Sequence, residues 1–412
     1  MEPAIKIKTE FQERPSLRVV ETPTSAEGGP AAAPAKKTCA RCLYDEETPA
    51  IVFDQDGVCN YCRMHDQLDR EYPAGAEGRA ILERQAEQIR REGKGKDYDC
   101  VVGVSGGCDS SYLVWLAKDL GLRPLAAHFD NTWDSKTAVE NIHNVLDKLG
   151  VDLYTHVVDN VEYNDIYRSF LKAGVPDIEA PTDIGLASTL YMAAAKAKVR
   201  WIFEGHSFRS EGVSPLGWLY MDGKYISTIQ KTYGGMPIRT FPNLTMARFL
   251  WWTGGRRIKK IRPLYHLEYR KEEVKKFLVD QFGWQWYGGH HLENRFTAFY
   301  HSYFLPRRFG IDQRVNGYSA LMRSGQMTRE EGMRLMAQPP HMEAGLLEMV
   351  RKRLGLDEME FERLMNLPRR TFKEFRTYKK DFERLRPLFW AMYKLDLVPK
   401  SFYLKYTSRK NI

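Results

Sequence analysis

The chain has 412 residues, 43% of them hydrophobic, a formal charge of +9 and six cysteines. That length predicts two domains or one large domain with additions, and no apolar run approaches the roughly 18 residues of a membrane span, so a soluble protein is expected. The basic balance selects no partner by itself, since it suits nucleic acid, an anionic nucleotide or plain solubility.

Residues 1–36 are rich in Pro, Ala, Gly, Thr and Glu and cannot bury enough apolar surface to offset chain entropy, which predicts a disordered tail. The first residues hold no apolar leader core, and the cysteine usage suits a reducing compartment, so a cytoplasmic location is expected. Residues 37–70 carry Cys39-Ala-Arg-Cys42 and Cys59-Asn-Tyr-Cys62. Each pair can place two thiolates on one ion from a tight knuckle, so a closed, structural four-sulfur zinc site is the first choice and an iron–sulfur cluster its competitor. Glu77 to Arg91 reads as a polar connecting helix.

Cys100 to Val104 is an apolar run of the kind a parallel sheet buries on both faces, and Ser110 to Leu120 has helical spacing. Between them lie Ser105, Gly106, Gly107, Cys108 and Asp109. Adjacent glycines let the backbone approach a ligand, and the unpaired N–H groups of a helix start favour an anion, so Ser105, Gly106, Gly107, Asp109, Ser110 and Ser111 form a candidate phosphate cradle. The Lys-Ser or Lys-Thr of the common phosphate loop is missing. Strands are predicted over Pro124–Phe129, Leu153–Val158 and Val199–Glu204, and helices over Ser135–Leu149, Val161–Lys172 and about Thr182–Lys198. Such alternation predicts an α/β fold with a parallel sheet and its ligand at the carboxyl ends of the strands, which nominates His128, Asp130, Glu204, Gly205 and His206. Past Gly212 the chain turns aromatic, a pattern that more often means core than ligand platform, and from Lys271 helices dominate, with Lys271–Phe282 and Thr328–Leu335 periodic. The expected organisation is the tail, a zinc segment at 37–70, a nucleotide domain at 71–265 and a mainly helical region at 266–412.

The Ser-Gly-Gly-x-Asp-Ser pattern resembles the PP-loop of ATP pyrophosphatases, a family that includes NAD synthetase, GMP synthetase and several tRNA-modifying enzymes. The resemblance implies the Rossmann-like, adenine nucleotide alpha hydrolase-like fold, binding of ATP, and its cleavage to AMP and pyrophosphate. Gly205-His-Ser-Phe-Arg-Ser-Glu211 is similar to a stretch of NAD synthetases whose glutamate helps hold magnesium, so Glu211 inherits that role beside Asp109; His206 and Phe208 depart from the pattern. Taken with the cysteine pairs, Trp286-Tyr-Gly-Gly-His-His-Leu-Glu-Asn-Arg-Phe-Thr297 and Leu305-Pro-Arg-Arg-Phe-Gly-Ile-Asp-Gln-Arg314 look like the N-acetyl sugar amidotransferases of bacterial surface-polysaccharide synthesis.

That likeness implies ATP-dependent conversion of an acetamido group on a nucleotide-linked N-acetyl sugar to an acetamidino group, for O-antigen or a related glycan. Asp109, His290, His291 and Glu293 are then the candidate catalytic groups, and His206 and Arg295 the candidate substrate contacts, the arginine suiting a uronate or a sugar-nucleotide phosphate. Magnesium would sit on Asp109 and Glu211, and zinc on Cys39, Cys42, Cys59 and Cys62. No glutaminase motif occurs, so the resemblance implies a separate glutaminase and an ammonia-conducting, barrel-like subunit. Neither a membrane nor nucleic acid is an expected partner. A PP-loop tRNA-modifying enzyme, of the thiolation or lysidine type, is the alternative.

Overall fold

The strand Cys100–Gly103 (β1) lies at the middle of a five-stranded sheet, because Cys100, Val101 and Val102 are fully buried and alternate residues feed two different cores. The computed structural model describes residues 36–215, 217–289 and 291–408. The tail read over residues 1–36 falls, but for Lys36, outside them.

Before the sheet come helices Asn60–Glu71 (α1) and Gly75–Gly93 (α2). β1 leads through α3 (Cys108–Asp119) to β2 (Pro124–Asp130), through α4 (Lys136–Leu149) to β3 (Leu153–Val157), and through α5 (Asn160–Ala173) and α6 (Ala180–Lys196) to β4 (Trp201–Phe203). All pairings are parallel, in the order β3-β2-β1-β4-β5, where β5 is Lys259–Ile261. Cys100 faces Pro124 on one side and Trp201 on the other. β2 and β3 lie to one side of β1 and β4 and β5 to the other, so the chain reverses its winding between β1 and β4. In an open α/β sheet that crevice is where ligands bind.

Cys100 and Val102 join the core of α2, α3, α4 and the helix Lys271–Phe282, whereas Val101 and Ile202 join α6 and the aromatic side chains of residues 382–406. A third core, built on Tyr163, Tyr167 and Phe170 of α5, takes in Phe296, Phe299 and Phe304 and the helices Leu346–Leu354 and Glu358–Met365. From Lys37 onward the chain makes one compact unit.

The predicted strands and helices appear within a few residues of their expected ends, the helix Lys271–Phe282 with the same ends. β5 was assigned no element from the sequence. It lies in the basic run Arg256–Arg262, and its Lys260, with Arg262 just beyond, is neutralised by Glu204 at 2.7 and 3.0 Å. That pairing holds the Glu204 carboxyl down at about 2, burial opposing and the two cations prevailing. Of the aromatic stretch, Tyr220, Tyr225, Trp252 and Trp284 are buried, while Trp251 and Trp286 are exposed. Among the described residues no helix is long and apolar enough to cross a membrane.

Candidate functional site

The loop between β1 and α3 is shaped by its glycines. Gly106 has φ +76°, and a Cβ there would lie 2.2 Å from the Ala138 carbonyl oxygen, so both backbone geometry and space demand glycine. Its own carbonyl accepts hydrogen bonds from Asn141 Nδ2 at 3.2 Å and Trp284 Nε1 at 2.9 Å, which braces the turn against α4. Ser110 Oγ takes the Ser105 N–H at 3.3 Å and donates to the Gly107 carbonyl at 3.1 Å, while Ser111 is buried. The result is a tight turn at the N-terminus of a twelve-residue helix, the geometry that receives an anion. Gly205, at the end of β4, packs 3.6 Å from Ser110 N, as a Cβ would measure it, so the loop and the β4 end share the crevice.

Asp109, on the first turn of α3, is the electrostatic centre of that crevice. Lys271 Nζ lies 2.8 Å from its Oδ2, and the Tyr269 hydroxyl donates to its Oδ1. Burial opposes the Asp109 charge, but Lys271, a hydrogen bond from Glu211 and the tyrosine together hold its pKa below the usual carboxylate range. Glu211 moves the other way, to about 8, through burial and the neighbouring Asp109 charge. Two carboxyl groups that share a hydrogen bond in this way hold a proton between them, and a divalent cation is the group that would replace it. His206 meets the Tyr265 hydroxyl at 3.0 Å and Glu211 at 3.7 Å, and burial lowers its pKa to about 4, so its imidazole is neutral. Tyr269 and Lys271 carry no signal in the sequence, since 160 and 162 residues separate them from their partner.

The segment after Trp286 folds across the loop. Ser135 N donates to the Glu293 carbonyl at 2.8 Å and Arg295 N to the Trp133 carbonyl at 2.9 Å, pinning Glu293 to the β2–α4 connection. Phe296 stacks on Tyr167 with ring centroids 3.4 Å apart and meets Trp133 edge-on, contacts worth about 0.5–1.5 kcal/mol each beyond their burial. So held, Glu293 Oε1 lies 3.3 Å from Ser105 Oγ, and a Cβ on Gly107 would come within 3.1 Å of the same oxygen. His291 has φ +59°, a backbone state that β-carbon residues occupy at a cost, and its Nδ1 stands 3.9 Å from Glu293 Oε1. Its crowded surroundings pull the imidazole pKa down, but Glu293 and Glu211 outweigh them and raise it to about 8. His290 lies outside the described residues. Arg295 reaches outward to Glu343 at 3.6 Å.

At the end of β2, His128 meets the Val104 carbonyl through Nδ1 at 3.0 Å and Asp134 through Nε2 at 3.2 Å. Both ring nitrogens are thereby engaged, which ties the start of the phosphate loop to the β2–α4 connection. Asp130 accepts the Thr132 N–H at 2.7 Å, and the ligand atoms of His128, Asp130 and Asp134 lie within 4.8 Å of one another.

The four cysteines of the amino-terminal segment are fully buried and converge. The Cys39–Cys62, Cys42–Cys59 and Cys59–Cys62 sulfur pairs are 3.8, 3.7 and 3.6 Å apart. A tetrahedral ion with metal–sulfur bonds of about 2.3 Å needs edges of about 3.8 Å, so the donors fit one metal ion. Cys59 caps α1 and Cys62 lies on its first turn. Arg323, on the helix Arg314–Arg323, donates to Cys62 Sγ at 3.3 Å and Cys42 Sγ at 3.2 Å, with its guanidinium 4.6 Å over the Tyr44 ring. Three residues on, Gln326 accepts the Lys271 N–H at 3.4 Å and donates to the Tyr269 carbonyl at 3.1 Å. A short covalent and hydrogen-bonded path therefore joins the cysteine cluster to the residues that hold Asp109. Arg323→Met should lower metal affinity about 10- to 100-fold, the usual cost of losing an outer contact to a ligand, and a competition titration with a chelator measures it.

Residues 293–388 match the family described as LPS biosynthesis protein WbpG-like, C-terminal domain. An uncharacterized protein of Methanocaldococcus jannaschii is 29% identical over 140 residues, covering 33% of this chain and 47% of that protein. The tRNA-specific 2-thiouridylase MnmA of Citrobacter koseri is 28% identical over 196 residues, 44% of this chain and 48% of that one. The chain thus spans about half the length of these curated relatives. The NH3-dependent NAD synthetase of Campylobacter jejuni aligns over 71% of this chain and 98% of its own, with 14% identity and a TM-score of 0.30. Residues 293–388 are thus similar to the C-terminal domain of WbpG-like LPS biosynthesis proteins, and the α/β half with its five-stranded parallel sheet is similar in sequence to part of MnmA.

Proposed function

We propose that this protein is a cytoplasmic, AMP-forming amidotransferase that converts the acetamido group of a nucleotide-linked N-acetyl sugar to an acetamidino group. The observation that carries the reading is the contact of Glu293 with Ser105 and Gly107. Glu293 opens the segment that matches the WbpG-like family, so that segment touches the glycine loop of the α/β half, which supports the reading.

An acetamide is a poor electrophile because nitrogen donation deactivates its carbon and oxide is a poor leaving group. Attack of the acetamido oxygen on the α-phosphorus of ATP forms an O–P bond and breaks the bond to pyrophosphate. Ammonia then forms the C–N bond, and AMP departs with the former acetamide oxygen. In this reading the α3 N-terminus with Ser105 and Ser110 receives the departing pyrophosphate. Asp109 and Glu211 would hold magnesium, which when bound screens the phosphate charge. His291, beside Glu293 and charged at neutral pH, would steady the anionic side of the transfer. Four cysteines would hold zinc in a structural role. Nitrogen would come from a separate glutaminase by way of a barrel-like conducting subunit.

A tRNA-thiolating activity, the alternative, needs a cysteine able to carry sulfur near the nucleotide. Cys100 and Cys108 are buried, burial pushing the Cys108 thiol up to about 12 and the Cys100 thiol higher still, so neither supplies a thiolate. Lys260 and Arg262 are already paired, which removes charge a nucleic-acid surface would use. The test is an isotope experiment with the purified chain, ATP, free ammonium and a panel of nucleotide-linked N-acetyl sugars carrying oxygen-18 in the acetamide. The label should appear in AMP and the product should carry NH in place of that oxygen. Unlabelled AMP, or turnover with glutamine and no partner, would sink the scheme.

A further inference from the structure

At the start of α6 lies a second carboxylate pair that no sequence motif singled out. Glu179 is the residue before α6, and Asp183 is on its first turn. Glu179 is 8% exposed; its Oε2 accepts from Thr297 Oγ1 at 3.0 Å, whereas its Oε1 is buried and meets no donor among the described residues. Thr297 also reaches Asn294 Oδ1 at 3.3 Å, one residue from Glu293, so a single turn of helix separates this carboxyl from the loop-facing one. His291 stacks on His301 at 5.8 Å, and His301 sits on the π-turn Tyr300–Phe304, an irregularity that recurs at functional sites. His291 interacts electrostatically with Glu211 and Glu293 and also with Glu179 and Asp183, so one imidazole is shared by the two carboxylate pairs.

We infer that Glu179 is the proton acceptor for the nitrogen nucleophile, and that the Glu179–Asp183 carboxylate pair is the entry site for ammonium. This rests on the adenylyl-transfer reading above and names the group that its second step lacks. A buried acceptor oxygen without a donor suits a small N–H cation. The groups facing Glu179 are Thr182 and Asp183 from its own helix, Tyr163 and Tyr167 from α5, Tyr300 from the π-turn, Thr297, and the His291 imidazole, while Asp183 also faces the Lys405 ammonium, whose charge burial disfavours. Carboxylates and tyrosine rings favour a cation over an anion. Burial, with the Asp183 charge, pushes the Glu179 carboxyl up to about 8, closer to the basicity that accepting a proton from ammonium requires.

The step balances. Ammonium gives one proton to Glu179 Oε1 and becomes NH3, which bonds to the adenylylated carbon as the C–O bond to AMP breaks. Two hydrogens stay on the new nitrogen, the third passes to the former amide nitrogen to give the amidinium, and the proton on Glu179 leaves to water.

Glu179→Gln keeps size and removes the base. The readout is the ratio of product formed with ammonium to product formed with hydroxylamine, a nucleophile that is unprotonated at neutral pH and needs no base to free it. That ratio should fall about 10²- to 10⁴-fold, the span of general base catalysis. An unchanged ratio, whether both rates persist or both collapse, would overturn the assignment. Thr297→Val is the second variant: the Thr297 hydroxyl lowers the Glu179 pKa, so its loss should move the rising limb of the ammonium pH–rate profile to higher pH and leave the hydroxylamine profile in place. Coincident shifts of both profiles would count against Glu179. Sugar-dependent exchange of pyrophosphate into ATP, which precedes nitrogen entry, separates the two readings. Its absence from the wild-type protein would remove adenylyl transfer itself, while its presence with an unmoved ratio would remove only the role of Glu179.

Discussion

Asp109→Asn should lower the rate of pyrophosphate release by at least about 10³-fold while the protein remains folded. The side chains are nearly isosteric, so the change isolates one negative charge at the point where the phosphate loop, Glu211 and Lys271 meet. Without that charge the site loses the carboxylate proposed to hold magnesium, and the Lys271 ammonium, now opposite Glu211, would compete for the same phosphate oxygens. Stripping a buried ion of its partner costs about 3–5 kcal/mol when nothing replaces it, but Glu211 remains beside Lys271 and Tyr269 keeps an oxygen to bond. A small change in melting temperature with a large loss of pyrophosphate release is therefore the expected pair of results. Equal losses in both would make Asp109 a structural ion-pair partner. If the wild-type protein released ADP and phosphate, adenylyl transfer would be wrong whatever the variant did.

The second large effect concerns the cysteine cluster. Cys39→Ser should abolish stoichiometric metal binding, and elemental analysis of the wild-type chain should find about one zinc per chain. Structural zinc contributes on the order of 10 kcal/mol to the folding of isolated peptides. Here the penalty should reach further than residues 37–70. Arg323 donates to Cys42 and Cys62, Arg329 to the carbonyls of Cys39 and Cys42, and Leu43 N to Ser319 Oγ at 3.2 Å. Losing the ion leaves the Arg323 guanidinium buried against a disordered cluster and loosens the helix that carries Gln326, and with it the backbone of Tyr269 and Lys271. Hydrogen exchange should rise at residues 37–70 and at 314–336 together, and the melting temperature should fall. Stoichiometric iron with a visible chromophore would replace zinc by a cluster, and exchange confined to residues 37–70 would break the connection through Arg323.

Much of the scaffold was legible in the residues because burial on two faces leaves a pattern. β1 and β2 read as strands since nearly every side chain in them is apolar and buried. β5 did not, because two of its three residues are lysines. The sheet accepts them at an edge, where Lys260 pairs with Glu204 and lies 5.2 Å over the Tyr191 ring, and Lys259 lies 5.5 Å over the Trp201 ring. Those neutralising partners come from β4 and α6, distant in the chain, and a local window holds none of them.

The same division runs through the candidate site. By itself the sequence determined the phosphate loop, the cysteine pairs and the alternation that makes a parallel sheet, since each depends on residues within a few positions of one another: adjacent glycines sit between a buried strand and a helix start, and paired thiols must share a knuckle. Only the tertiary structure decided which groups face that loop. Tyr269 and Lys271 on Asp109, Glu293 on Ser105, Thr297 on Glu179 and Arg323 on two cysteine sulfurs are encounters between residues 118 to 281 positions apart. Each is set by how the α5 core packs Phe296, by where the winding reverses between β1 and β4, and by the docking of the helix Arg314–Arg323 on the cysteine segment. Packing of that range depends on the summed shape and burial of many side chains, and no spacing along the chain encodes it.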